Sequence, residues 1–255
     1  MEPRFVTNKP ALMAGRNLVI ADLHIGVEFE FFKSGIKVPS STETLMHSIE
    51  GLIKETKPGR LVILGDIKHK VPGATKQEIR EVPDFLSKLS EKIRIDIVPG
   101  NHDDNIGDFL PDGVRLHEST GFRKGEYFFV HGHAWPSEDF LKAKYVFVGH
   151  EHPQIEFRDK IGYRFVEQVW VRTNIIKERI DNRYEITGEL PELIVLPRFN
   201  HLCGGISMNQ SITKIEHAHK MYDSGLGPLV RASDLRNSDI YLLDGTLLGK
   251  LKGLC

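Results

Sequence analysis

Residues 61–69 read LVILGDIKH: four apolar residues lead directly into glycine and aspartate, with a histidine three residues further on. A short apolar run that ends at a glycine predicts a buried strand, which places the polar residues in the loop after it. Residues 93–103 (IRIDIVPGNHD) repeat this pattern, and residues 18–24 (LVIADLH) are a similar apolar run that leads directly into aspartate and histidine. Helical segments separate the three runs, so the order β-α-β-α-β predicts parallel strands joined by right-handed crossovers.

The helical segments have recognisable ends. A short helix is expected around Val27–Phe32. Ser40 and Glu43 have capping-box spacing before apolar residues at helical intervals, and Pro58-Gly59 ends that helix. The next helix runs from about Thr75 to Lys92, and Pro83 predicts an interruption or restart within it.

Beyond residue 113 the sequence changes to closely spaced strands. Their predicted ranges are Val114–His117, Tyr127–Val130, Tyr145–Val148, Gln154–Phe157, Tyr163–Trp170, Leu193–Leu196, Ile240–Leu243 and Leu247–Leu251. Asp244-Gly245 between the last two is a two-residue hairpin signal. We predict an α/β fold, a layered α/β sandwich with two mixed β-sheets flanked by helices. Residues 1–255 form one domain, with the site in 1–170, a strand-rich portion in 171–255, and an insertion or loop at 207–238.

The totals exclude several classes of protein. With 34 Lys+Arg against 35 Asp+Glu, the net charge of −1 argues against a strongly basic protein that coats duplex DNA. No apolar run reaches the roughly 18 residues of a membrane span, so we expect no membrane association and a cytoplasmic location. The two cysteines indicate no disulfide framework, and Cys203 is expected to be a small buried hydrophobe.

Five short polar motifs each follow a predicted strand. Seven of the twelve histidines lie in these motifs, which are Asp22-Leu23-His24, Gly65–His69, Gly100–Asp103, Val130–His133 and Gly149–His152. Ligand sites of α/β sheets form beyond the carboxyl ends of strands, so the motifs are expected to converge. Imidazole, carboxylate and amide ligands suit Mn, Fe, Zn or Ni. The candidate ligands exceed the needs of one ion, which favours two metals sharing a carboxylate.

The ordered set DxH, GDxxH, GNHD, VHGH and GHxH, spanning residues 22–152, resembles the calcineurin-like metallophosphoesterase superfamily. The whole chain, including Leu196–Asn200 and Gly204-Gly205, is similar to small SbcD-related phosphoesterases of archaea and bacteria. The resemblance implies a metallophosphoesterase fold and hydrolysis of phosphate esters at two metal ions.

The resemblance also implies roles for individual residues. One metal would be held by Asp22, His24 and His152, the other by Asn101, His131 and His150, with Asp66 bridging the two. His102 would contact the phosphate and protonate the leaving oxygen, and His69 would be a second imidazole facing the phosphate. Asp103 is expected to support the metal ligands rather than bind metal, and His133 to lie near the site without being a ligand.

Other residues leave alternatives open. Arg198, Asn200 and His201 follow a predicted strand and could reach the mouth of the site, whereas His217 and His219 are expected on the surface. Phe29, Phe31 and Phe32 could stack on bases, although core packing or a dimer seam is favoured. Lys68 and Lys70 could steer phosphate, but solvated loop lysines are the commoner case.

The functional prediction is a phosphodiesterase or nuclease in which a metal-bridging hydroxide attacks phosphorus in line. Manganese is favoured among the metals, and the substrate is a phosphate ester, with single-stranded nucleic acid or a nucleotide considered. A phosphomonoesterase is the alternative, because both reactions share this chemistry. A non-catalytic scaffold of the same fold is disfavoured by the complete ligand set. The oligomeric state is open, with a homodimer considered.

Overall fold

The computed structural model of the chain describes residues 1–210 and 225–255. Its helices are α1 (Glu28–Lys33), α2 (Thr42–Thr56), α3 (Lys76–Ser90) and a short helix at Pro228–Arg231. Its strands are β1 (Arg4–Phe5), β2 (Leu12–Ala14), β3 (Asn17–Ala21), β4 (Arg60–Leu64), β5 (Ile95–Val98), β6 (Arg115–Leu116), β7 (Phe122–Lys124), β8 (Tyr127–Val130), β9 (Tyr145–Val148), β10 (Pro153–Arg158), β11 (Arg164–Asn174), β12 (Glu192–Val195), β13 (Ile206–Ser207), β14 (Asp239–Leu242) and β15 (Leu247–Lys250). Among these residues, no helix has the length and apolar character needed to cross a lipid bilayer.

The strands form two mixed sheets. The first has the order β1-β2-β3-β4-β5-β6, in which β3 through β6 are parallel. The second has the order β13-β10-β11-β12-β9-β8-β7, and the β14–β15 hairpin pairs with β11. Parallel pairing of β3, β4 and β5 confirms the β-α-β-α-β prediction. The two mixed sheets with flanking helices confirm the predicted α/β sandwich.

Alternation along each strand builds three buried layers. Val19 and Ala21 of β3 face the second sheet, where they meet residues such as Phe147. Leu18 and Ile20 of the same strand face α2 and α3 on the other side. The outer face of the second sheet packs on the segments that follow β8 and β11 and on Pro228–Arg231. This stacking aligns the carboxyl ends of β3, β4, β5, β8 and β9 along one edge, because these strands run parallel within their sheets.

The predicted capping box at the start of α2 is wrong. The residue before α2 is Ser41, and its side chain makes no capping bond. Ser40 Oγ and Thr42 Oγ1 donate instead to Glu81 Oε2 of α3, at 2.8 and 2.7 Å, so these hydroxyls join two helices. A capping box does occur at the start of α3, between Thr75 and Glu78.

Helix α3 continues through Pro83 without a break, contrary to the prediction. Proline inside a helix costs about 3 kcal/mol. Val82, Phe85, Leu86 and Leu89 are buried on the same face of α3. Each such side chain contributes about 1.5–3 kcal/mol when buried, so packing outweighs the local cost.

Four short strands were not predicted. Strands β1 and β2 lie near the start of the chain and β7 and β13 in the strand-rich half, and each has only two or three residues. The β14–β15 hairpin at Asp244-Gly245 is confirmed. In the segment 207–238, residues 211–224, with His217 and His219, lie outside the described residues. Leu226, Leu229 and Val230 from the same segment are buried in the outer core.

Candidate metal centre

The loops after the strands are held in unusual backbone conformations. Among the described residues, eight non-glycine residues have positive φ, and five of them lie in the motifs: Asp22, His24, Asp66, His150 and His152. Backbone bonds between loops hold them there, including His24 N–H to the Asp66 carbonyl at 2.7 Å. Gly65 (φ +69°) precedes Asp66 where a Cβ atom would lie 2.5 Å from His131 Nδ1. Only glycine therefore allows the strand ends to approach so closely.

The first cluster contains Asp22, His24, Asp66 and His152. His24 Nε2 lies 3.3 Å from His152 Nε2 and 3.4 Å from Asp66 Oδ2. His152 Nε2 lies 3.5 Å from Asp22 Oδ1. Two carboxylates and two imidazole nitrogens thus converge on one small volume.

The second cluster contains Asp66, His131 and His150. His131 Nε2 lies 3.5 Å from Asp66 Oδ1 and 3.2 Å from Asn101 Oδ1. Asp66 therefore directs one carboxylate oxygen at each cluster, Oδ2 towards His24 and Oδ1 towards His131. Its carboxylate thus lies between the two clusters, and the bridging role that the resemblance implies stays a prediction.

Hydrogen bonds fix which ring nitrogen of each histidine faces the clusters. His131 Nδ1 donates to the Leu64 carbonyl at 2.8 Å, and His152 Nδ1 donates to the Gly204 carbonyl at 2.9 Å. A carbonyl oxygen only accepts, so Nδ1 carries the proton and Nε2 keeps a lone pair directed into the cluster. The lone pair of His152 Nε2 lies 3.3 Å from His24 Nε2 and beside two carboxylates, where it needs either a donor or a cation. The donor set therefore fits metal ions.

Ionisation favours the same arrangement. Burial raises the pKa of Asp22, but His152, His131 and His24 outweigh it and bring this pKa to about 2. Burial, followed by the charge of His131, lowers the pKa of His150 to about 3. Burial also lowers the pKa of His24. Burial alone would lower the pKa of His131 and His152, but the neighbouring carboxylates outweigh it and raise both pKa values. A divalent transition metal requires the neutral imidazole, so metal binding there would displace a proton.

A third group, His24, His69 and His102, lies beside the first cluster. His102 Nδ1 donates to the carbonyl of His69, so His102 Nε2 is the ring nitrogen left without a partner on the cavity side. His69 Nδ1 lies 3.3 Å from His24 Nδ1, and burial followed by the charge of His102 lowers the pKa of His69. His69 and His102 both line an open cavity of about 240 Å³ together with His24, Asp66, Asn101 and His150.

Asp103 and His133 lie behind the ligands. Asp103 is buried and accepts backbone N–H bonds from Ile67 at 2.8 Å and Gly100 at 2.8 Å, so it joins two of the ligand loops. Burial and the charge of Asp66 raise the pKa of Asp103 to about 6. The His133 ring centroid lies 5.2 Å from that of His131, and burial lowers its pKa to about 4.

The segment after β12 supports the Asp22 loop. The N–H groups of Phe199 and Asn200 donate to the carbonyls of Ala21 and Asp22, and Asn200 Nδ2 donates to the Leu23 carbonyl at 2.9 Å. Arg198 is buried and donates to Gln154 Oε1 at 3.3 Å. His201 is exposed and does not line the cavity, whereas Cys203 and Gly204 do.

Lys68 is the main residue that sequence reasoning misjudged. Its side chain is fully buried, so the prediction of a solvated loop lysine is wrong. Lys68 Nζ donates to the carbonyls of Lys70 (2.7 Å), Gly73 (2.9 Å) and His102, and pairs with Asp104. The lysine therefore ties the His69 loop to the His102 loop. No feature of the local sequence distinguishes it from an exposed lysine.

Buried carboxylates support two further loops. Glu78 Oε1 of α3 accepts the N–H groups of His69 and Lys70, at 2.8 and 2.6 Å. Glu151, between His150 and His152, accepts the Gly227 N–H at 2.7 Å, and burial raises its pKa to about 8. Both were absent from the predicted site.

The phenylalanines of α1 are on the surface. Phe29 and Phe32 are exposed and stack with ring centroids 6.4 Å apart, so core packing within this chain is wrong for them. Base stacking and a dimer seam stay predictions.

Three comparisons with known proteins bear on this site. The family model described as calcineurin-like phosphoesterase matches residues 15–175. The crystal structure of the Pseudomonas putida nuclease MPE is similar with a TM-score of 0.50 and 21% identity, covering 77% of this chain and 81% of that one. YfcE, a phosphoesterase from E. coli, aligns with a TM-score of 0.36 and 18% identity, covering 56% of this chain and 73% of that one.

No curated protein matches the chain significantly. The family model covers well over half of the sequence, and its range contains all five motifs and the converging ligands. The chain therefore belongs to the calcineurin-like phosphoesterase family and is a metal-dependent hydrolase.

Proposed function

We propose that the protein hydrolyses phosphodiester bonds with two divalent transition-metal ions, manganese being the favoured metal. The observation that carries the proposal is the Asp66 carboxylate, which directs one oxygen at each of two ligand clusters. A single carboxylate shared in this way supports two neighbouring ions rather than one. Asp22, His24 and His152 would hold one ion, and Asn101, His131 and His150 the other.

When bound, two such ions supply a hydroxide nucleophile near neutral pH and neutralise the charge that develops on the phosphoryl oxygens. The chain's own residues provide the rest. Asp103 and the N–H bonds that it accepts hold the Asp66 and Asn101 loops at a fixed separation. The Leu64 and Gly204 carbonyls orient two of the imidazole ligands.

Proton transfer to the leaving oxygen falls to His102 in this proposal. Its Nδ1 is bound to the His69 carbonyl, so Nε2 is the nitrogen that can hold a proton towards the cavity. As attack on phosphorus breaks the bond to the leaving oxygen, donation of that proton lets the group depart as a neutral alcohol, and His102 is left as the neutral imidazole. His69, whose ring centroid lies 5.5 Å from that of His102, would contact the phosphate beside it.

One comparison favours a diester over a monoester. The similar Pseudomonas putida structure is described as a nuclease, which makes single-stranded nucleic acid the first polymeric substrate to test. A phosphomonoesterase is the alternative, since the metal ligands would serve either reaction.

The test is a substrate panel run beside metal quantification. Purified protein is stripped with a chelator, reloaded with Mn, Fe, Zn or Ni, and given a bis-aryl phosphate diester, an aryl phosphate monoester and a single-stranded oligonucleotide. We expect two ions per chain, loss of activity in chelator, and recovery with Mn. We also expect a larger kcat/KM for the diesters than for the monoester.

The outcomes separate the parts of the proposal. One ion per chain at saturation would contradict the shared role of Asp66. A monoester preferred over both diesters would replace the phosphodiesterase by the alternative. Retention of full activity in chelator would remove the metal-dependent mechanism.

A further inference from the structure

A second cavity, of about 430 Å³, lies on the outer side of the second sheet. It is lined by Trp135, Arg179, Arg183, Arg231 and Pro228, and no Asp or Glu residue is among its lining residues. The chain as a whole carries a net charge of −1, so this concentration of arginines is local. None of the residues assigned to the metal centre contributes to the cavity.

Backbone carbonyls and an aromatic ring hold the arginines in place, but no carboxylate pairs with them in the described residues. Arg179 Nη1 donates to the carbonyls of Arg231 (3.2 Å) and Ser233 (2.8 Å), and Arg231 Nη1 donates to the Leu226 carbonyl. Arg183 lies over the Trp135 ring, with its Cζ 4.9 Å from the ring centroid. Within the described parts of the chain, none of these three arginines forms an ion pair with a carboxylate. Their charges are thus held in place and available to an anion.

The cavity is built on the same loops as the metal centre. Trp135 follows His131 by four residues and His133 by two. Pro228 follows Gly227, whose N–H donates to Glu151 between the two histidines of the last motif. Gly227 also packs so tightly on the preceding loop that a Cβ atom would collide with the Gly132 carbonyl. One wall of the cavity is therefore formed by segments that bond to or pack against the His131 and His150–His152 loops.

Guanidinium groups beside a half-buried aromatic ring suit one ligand chemistry. Arginine binds phosphate oxygens through two parallel N–H bonds, and both indole and guanidinium planes stack on nucleic-acid bases. We propose that this cavity binds a nucleotide of single-stranded nucleic acid that flanks the scissile bond, with its phosphate on the arginines and its base against Trp135 and Arg183. The proposal rests on the phosphodiesterase function proposed above and adds a polymeric substrate.

Binding is tested on the metal-loaded protein with a single-stranded oligothymidylate of about ten nucleotides. Its linkages are phosphorothioates, which resist hydrolysis. Trp170 is fully buried whereas Trp135 is half-buried, so quenching of tryptophan fluorescence reports on the cavity. We expect the oligonucleotide to quench the wild-type protein and the Trp135→Phe variant to lose the signal.

Charge reversal at Arg183 measures how much this arginine contributes to oligonucleotide binding. Arg183→Glu should raise the Kd for a labelled oligonucleotide about tenfold, and loss of one phosphate contact should reduce the salt slope by roughly 0.7. Arg115→Glu is the matched control, because Arg115 is exposed on β6 of the other sheet; it should change the Kd less than about twofold. The ratio of kcat/KM for an unmodified, cleavable oligothymidylate to that for a bis-aryl diester should fall about tenfold in Arg183→Glu only.

Equal weakening by both charge reversals would overturn the proposal, since it would reflect net charge alone. An unchanged Kd in Arg183→Glu would also overturn the proposal, provided that the thermal unfolding of this variant matches the wild type. If Arg183→Glu is destabilised, Arg183→Ala is measured instead, and its log Kd should rise by about half as much. Failure of the wild type to cleave any diester while Arg183→Glu loses binding would refute the phosphodiesterase and leave the cavity's role standing.

Discussion

Two groups of Asp and His side chains in this molecule contain the same residue types but differ in how their charges and hydrogen bonds are matched. In the first, on the β5 side of the first sheet, Asp96 accepts from His117 Nε2 at 2.8 Å and from Arg60 Nη1. His117 also stacks on Phe122 with centroids 3.6 Å apart. Each charge there faces a partner of opposite sign or a donor, and the backbone is regular strand. We call this group the Asp96 cluster.

The candidate metal ligands show the opposite arrangement. His24 Nε2 and His152 Nε2 face each other at 3.3 Å, and the carboxylates of Asp22 and Asp66 lie among imidazole nitrogens. Five of the ligand residues also have positive φ. A group whose donors and acceptors are matched stabilises the fold, whereas a group whose lone pairs converge is incomplete without a cation. The predictions below test this contrast.

The largest effect is expected for Asp66→Asn. An amide cannot replace the two anionic oxygens shared by the clusters, so kcat should fall by at least about 10³-fold, since metals supply several kcal/mol of transition-state stabilisation. Bound metal should drop below the wild-type stoichiometry. The comparison variant is Asp96→Asn, which should keep kcat within about twofold at temperatures where it is folded. Equal losses in the two variants would erase the distinction between the clusters.

His102→Ala should lower kcat by about 10²-fold or more for an ester with a poor leaving group, the usual range for losing a general acid. The loss should be smaller for a nitrophenyl ester, because nitrophenolate leaves without protonation. Metal content should stay at the wild-type value. His201→Ala replaces an exposed histidine that does not line the cavity and should match the wild type. An identical loss for both leaving groups would argue against the proton-donor role.

Lys68→Met should lower kcat by about 10- to 100-fold, the range seen when supporting partners of a metal site are removed. Without the ammonium, the Lys70, Gly73 and His102 carbonyls lose a donor, so the loops carrying His69 and His102 separate. The effect should appear in kcat more than in KM, with both metals retained. Lys70→Met, two residues further along the same loop, is the control and should leave kcat unchanged. A Lys68→Met enzyme with wild-type kcat would show that the tie serves stability alone.

Asp96→Asn should destabilise the fold by about 1–3 kcal/mol at neutral pH, because Arg60 and His117 lose their charged partner. Burial raises the pKa of Asp96, but hydrogen bonds from His117 and Arg60 outweigh it and leave the pKa below its ordinary value of 3.8. A depressed folded-state pKa stabilises the fold above 3.8, and the stabilisation is lost as pH falls through the folded value. Urea unfolding should thus show the full difference at pH 5–7 and a shrinking difference below about pH 4. A difference that grows on acidification would contradict the pairing.

The smallest effect is expected for Cys203→Ala. Burial raises the pKa of the Cys203 thiol to about 12, so it stays protonated at working pH and is a poor nucleophile. We expect kcat within about twofold of wild type, as for a surface or packing change that spares the ligands. Alkylation followed by mass spectrometry should label the exposed Cys255 first. Inactivation that tracks labelling of Cys203 would give this thiol a larger role.

The architecture could be predicted from the sequence because the signals for strands and helices lie within a few residues of one another. Apolar runs at 18–22, 61–64 and 93–98 specify buried strands, and parallel pairing follows from the helices between them. Local rules failed where packing outweighed them, as at Pro83, or where a side chain bonded a distant helix, as Ser40 and Thr42 do with Glu81.

The identity and order of the metal-binding residue types were thus determined by the sequence, because each motif is contained in one strand and its loop. The tertiary structure alone decided which atoms meet. Asp66 shares its oxygens because loops separated by tens of residues end at one sheet edge, and Lys68 is buried because two such loops close over it. The arginine cavity joins residues 135, 179, 183 and 231, which no short pattern connects. Contacts between distant segments depend on how layers pack, and that information is spread over the whole chain.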